Sequence, residues 1–195
     1  IKECVLYVDD RRMEGMTSAE GTNIKALLTF ESNTGELEVR TALSSVDTQG
    51  AAKNLWAETK NKTFDVIREE AAGKWHDVLG QIEIETTDRK KKELFYTSLH
   101  NVMLYPFLFS DVDHCFRGPD WQVHQTDGFD YYGGVIGFWD TFRAACPLLS
   151  VLHPEVAEDY VKTLLEHYKY AGQLPIWTLS VSYTHLRAHE TDQYL

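Results

Sequence analysis

Cysteine is scarce in this chain: Cys4, Cys115 and Cys146 are the only 3 among 195 residues. Three scattered thiols are too few for a disulfide framework or a zinc ribbon. Basic residues are also in deficit. Lys and Arg number 19 against 30 Asp and Glu, a formal net charge of −11. That balance argues against a nucleic-acid backbone binder and against a polybasic membrane-surface binder. No apolar run approaches the roughly 18 residues that a membrane span needs. There is no internal repeat and no low-complexity tract. What remains is the composition of a globular protein, 43% hydrophobic and 25% charged, long enough for one ordinary domain or parts of two. Aromatics reach 12%, with 5 Trp and 10 Tyr, so the question becomes where they gather.

Residues 1–48 read as β structure. Cys4-Val5-Leu6-Tyr7-Val8 is an apolar run without helical period. The sheet is therefore expected to begin upstream of Ile1. Ile24 to Phe30 is strand-like, Asn33-Thr34-Gly35 supplies a turn, and Leu37, Val39, Thr41 and Leu43 alternate as in a half-buried strand. From 49 to 80 the period becomes helical through Ala51, Leu55, Phe64, Ile67, Ala71, Trp75 and Leu79, with Gly80 as a stop. Ile82 to Glu85 reads as a short strand. Thr87 or Asp88 caps a helix with Leu94, Phe95, Leu99, Val102 and Met103 on its apolar face, and Pro106 ends or kinks it. Residues 107–130 are loop-like, a helix is expected from about Tyr131 to Ala145 with Pro147 ending it, and a last helix opens at His153-Pro154-Glu155 and closes at Gly172.

Ser180 to Thr191 has no period and resembles one translated frame of the transposase end and adapter used in sequencing libraries. Residues 180–195 are read as a tail of that origin and excluded from fold reasoning. His185 and His189, spaced i, i+4, accordingly count for nothing as metal ligands.

Polar groups concentrate between Ser110 and Gln125. Asp111 and Asp113, at i, i+2, put two carboxylates on one side of an extended segment, a possible pair of hard oxygen ligands for Ca²⁺. Asp-rich turns bonding their own backbone produce the same spacing, and on spacing alone that is the better reading. A second cluster is Trp139-Asp140-Thr141-Phe142-Arg143. On a helix Asp140 and Arg143 can pair at i, i+3. A pyranose offers apolar C–H faces to an aromatic ring and hydroxyls to a carboxylate or guanidinium, so Trp, Asp and Arg within one turn also suit a sugar site. Trp177, after Pro175, is either a further platform or a core ring.

Taken in order, several motifs resemble glycoside hydrolase family 92. They are Leu108-Phe109-Ser110-Asp111-Val112-Asp113, Phe116-Arg117-Gly118, His124-Gln125, Phe138 to Ala144, Pro147-Leu148-Leu149 and Leu174-Pro175-Ile176-Trp177. The resemblance covers most of residues 20–179. It implies a Ca²⁺-dependent, inverting exo-α-mannosidase acting on N-glycans or mannan, periplasmic or extracellular. The implied fold is α+β: the end of an N-terminal β-sandwich (1–48), a helical linker and short strand (49–87), and the first helices of an (α/α)₆ barrel (88–179). By resemblance Asp140 holds mannose hydroxyls, and Arg143 orients that carboxylate or binds sugar. Trp139 and Trp177 offer aromatic faces, and Asp111, Asp113, Arg117 and His124 shape the mouth of the subsite. Neither the catalytic acid motif nor the paired-Asp base motif of the family occurs here, so no catalytic residue and no calcium ligand is expected within the chain. Two other readings compete. One is a non-catalytic carbohydrate-binding or interaction module complete at this length. The other is an enzyme complete in itself, which would have to pair Asp113 with Glu155 or Glu166.

Overall fold

The computed structural model describes residues 1–31, 35–134 and 138–175. These fall into two compact units, dividing after Val39.

The first unit is a three-stranded antiparallel sheet. β1 (Glu3–Val8) lies between β2 (Arg11–Met13) and β3 (Ile24–Thr29). The register sets Leu6 opposite Met13 on one side and opposite Ala26 on the other. β1 is the apolar run of the sequence, and its central place explains that composition: Val5 and Leu6 are buried. β3 thus finds its partner upstream. The expected strand over Leu37 to Leu43 is corrected. Residues 36–44 carry no ladder, and Leu37, Val39 and Leu43 are 53%, 67% and 90% exposed. Alternation prepares a strand, but only a partner's hydrogen bonds make one. Gly35 does take the turn conformation, at φ +74°; Asn33 and Thr34 lie outside the described residues.

The second unit begins with α1 (Thr48–Thr59), capped by the Asp47 carboxylate on Gln49 N–H and Gly50 N–H. α2 (Phe64–Leu79) starts at Thr63 and stops at Gly80, so the long helical period is two helices. Asp88 caps α3 (Arg89–Val102) through Lys90 N–H and Lys91 N–H, as its spacing predicts. The short strand expected at Ile82 to Glu85 does not form. Instead the Ile82 carbonyl accepts from Tyr96 Oη at 3.1 Å, and the Trp75 and His100 rings, 4.2 Å apart, join α2 to α3.

The loop-like stretch after Pro106 holds two small ladders, β4 (Phe107–Leu108) with β7 (Tyr132–Gly133), and β5 (Cys115–Arg117) with β6 (Val123–Gln125). A helix from Tyr131 to Ala145 is therefore corrected. Tyr132 and Gly133 are strand, α4 (Phe138–Thr141) is one turn, and α5 (Ala145–Leu152) begins before Pro147. The physical reason is the Gly133-Gly134 pair. Gly134 has φ +74°, and a β-carbon on Gly133 would lie 2.5 Å from the Phe107 ring. Only glycine lets that ring close on the strand. Pro147 sits in the first turn of α5, where a missing N–H costs nothing.

α6 (Pro154–Ala171) follows, closed by Gly172 at φ +74°. It organises the hairpins. Thr163, 1% exposed, accepts from Tyr132 N–H at 3.0 Å through its hydroxyl, and Asp159 accepts from Asp130 N–H at 3.1 Å. Phe116 and Tyr131, both buried, stack at 3.9 Å and 12°. No described helix is long and apolar enough to cross a membrane.

Candidate functional site

The polar loop is a braced module, and its central member is Asp111. This carboxylate is 4% exposed. Its Oδ2 accepts from Ser44 Oγ at 2.6 Å and its Oδ1 from Asn54 Nδ2 at 2.8 Å. Asn54 returns a bond, its Oδ1 accepting from Val112 N–H at 2.9 Å. Gly50, on the first turn of α1, makes room: a β-carbon there would overlap Asp111 Oδ2 and lie 2.5 Å from Ser44 Oγ. Two charge-assisted bonds from neutral donors offset part of the cost of burying this carboxylate.

Arg117 repeats the theme from the next strand. Its guanidinium donates to the Ser45 carbonyl at 2.9 Å, to the Val46 carbonyl, and to the Trp121 carbonyl at 2.9 Å. Asp111 and Arg117 therefore clamp residues 44–54 onto the β5–β6 hairpin. Asp113 is half-exposed and pairs with Lys53 Nζ at 2.7 Å. That hydrogen bond holds its carboxyl below the usual range, against a smaller opposing effect of burial. Asp113 Oδ1 also accepts from Cys115 N–H, and His114 N–H donates to the Asp111 carbonyl at 2.8 Å. The i, i+2 aspartates are thus a turn bonded to its own backbone.

His124 lies on β6. Its Nε2 is 3.0 Å from both oxygens of Asp120, and its ring stacks on Tyr170 of α6 at 3.6 Å and 14°. Burial raises the Asp120 carboxyl, but the His124 and Gln122 hydrogen bonds outweigh it and leave the group lowered.

Asp140 and Arg143 are placed differently. Both are exposed. α4 ends at Thr141, so the i, i+3 helical relation is not built, and among the described residues no ion pair joins the two. Arg143 instead lies over the Phe142 ring, 5.6 Å from its centroid. Trp139 belongs to α4, but its side chain lies outside the described residues, as does the whole of Trp177.

Sequence reasoning missed Ser44, Gly50, Lys53, Asn54 and Asp120. The first four stand 57 to 67 residues from their aspartates, a separation no local spacing reveals. Among the described residues no three His, Cys, Asp or Glu side chains group as metal ligands. Asp111 and Asp113 already spend their oxygens on Ser44, Asn54, Lys53 and Cys115, so they do not fit Ca²⁺, which takes six to eight oxygens. A separate concavity of about 450 Å³ is lined by Trp75, Met103, Tyr105, Leu149 and Val156 with Lys74 and His153. Among the described residues its lining holds no carboxylate.

Tyr131, the base of the hairpin stack, gives the module an alkaline limit. Burial, then the charges of Glu166 and Tyr170, push its phenol up to about 12. The neutral form is favoured in the folded chain. Its contribution is whole below pH 10, where the unfolded phenol titrates, and is lost as pH rises through the folded value. About 3 kcal/mol should disappear across that window. Phenolate absorbance at 295 nm should rise together with loss of near-ultraviolet dichroism. Tyr131→Phe should flatten this limb; an unchanged limb would show that another group sets it.

Residues 50–190 match the glycosyl hydrolase family 92 catalytic domain. The fold is similar to the GH92 α-mannosidase BT3965 from Bacteroides thetaiotaomicron, with TM-score 0.76 and 31% identity over 89% of this chain and 24% of that one. Against the same enzyme in complex with mannoimidazole the TM-score is 0.79, with 30% identity over 94% of this chain and 25% of that one. The GH92 glycosyl hydrolase ccman5 matches at TM-score 0.74 and 25% identity, over 86% and 22%. No curated protein matches. The chain spans about a quarter of the length of these solved structures, and it belongs to glycosyl hydrolase family 92.

Proposed function

We propose that this chain is a section of an inverting exo-α-mannosidase and carries part of its mannose subsite. The observation behind the reading is the match over 94% of the chain to a quarter of an α-mannosidase in complex with mannoimidazole. In this reading residues 1–48 end a β-sandwich, 49–87 link, and 88–179 open an (α/α)₆ barrel. Asp140 accepts from mannose hydroxyls, Arg143 binds beside it, and the Trp139 and Trp177 rings take the apolar sugar face. Asp111, Asp113, Arg117 and His124 shape the mouth, and the braces above supply a means: they fix the hairpin rather than touch sugar. Inversion requires an acid and a base about 6.5–9.5 Å apart, with a water between. Asp113 is tied to Lys53, and Glu166 to Lys169. The acid, the base and the calcium ligands are accordingly assigned to polypeptide beyond the described residues.

The test is hydrolysis of a methyl α-mannobioside, whose leaving methyl mannoside cannot mutarotate, by two samples, the 195-residue chain and the full polypeptide its gene encodes. The full polypeptide should release β-mannose first, seen by proton NMR before mutarotation, and the chain alone should release none. Release of α-mannose first would overturn inversion. No release by the full polypeptide would overturn the reading.

A further inference from the structure

We draw no further inference here: the strongest candidate, the apolar concavity of about 450 Å³ that Trp75 of α2, Tyr105, Leu149 of α5 and Val156 of α6 line, lies in a chain spanning about a quarter of the length of its solved relatives, and nothing in the structure shows what covers it.

Discussion

Replacing Asp111 with asparagine should destabilise the protein nearly as much as replacing it with alanine, by about 3–5 kcal/mol, since alanine strands both buried donors and asparagine keeps one bond but sets its NH₂ against the other donor. The isosteric change fails because the direction of every bond around Asp111 is already set. Ser44 Oγ accepts from Val46 N–H at 2.9 Å and from Asp47 N–H at 3.3 Å, so its own hydrogen must go to Asp111. Asn54 cannot reverse its amide either. Its Oδ1 accepts from Val112 N–H, and its Nδ2 also donates to the Leu43 carbonyl at 2.9 Å. Both neighbours are donors towards position 111, and an asparagine there must oppose one of them with its own NH₂. Gly50→Ala should cost a similar amount by a different route, driving a methyl into Asp111 and Ser44. Urea denaturation of the full polypeptide measures all three variants. Asp111→Asn within about 1 kcal/mol of the parent would show that the donors are free to turn, and would undo the argument.

The contrast between α6 and the segment before α4 shows what the sequence can convey. α6 has Pro154 at its start, apolar residues at i, i+4 and Gly172 at its end, each a local cause of helix. The helix expected over Tyr131 to Ala145 had only Pro147 as a stop and no cap at its start, and Gly133-Gly134 serve the Phe107 ring instead. The alternating Leu37 to Leu43 likewise lacked the one thing a strand cannot supply for itself, a neighbour. Helix caps and stops are short-range chemistry and can be read from the chain. Ladders and side-chain clamps join distant residues, as Arg117 joins Ser45 across 72 positions, and only the fold reveals them. The site was legible to the same extent. Its polar residues could be located by composition, but which of them are spent on internal bonds could not.

That division separates Asp111 from Asp140, and it leads to the largest effect expected on activity. Asp111 has both oxygens engaged inside the protein. Asp140 is exposed, and among the described residues it makes no hydrogen bond or ion pair. A carboxylate without internal partners holds its acceptor capacity for a ligand, and its removal strands no donor in the folded chain. In the full polypeptide, Asp140→Ala should therefore leave stability within about 0.5 kcal/mol of the parent. Its kcat/KM on α-mannosides should fall about 100-fold or more, the loss of one or two charged hydrogen bonds to sugar. Asp111→Ala should reverse the pattern, with a large loss of stability and, in the fraction that remains folded, kcat/KM within a few-fold of the parent. Kinetics on the folded fraction, set beside urea denaturation of the same samples, separates the two roles. If Asp140→Ala hydrolyses α-mannosides as well as the parent does, Asp140 does not hold the sugar, and the subsite must be built from other residues.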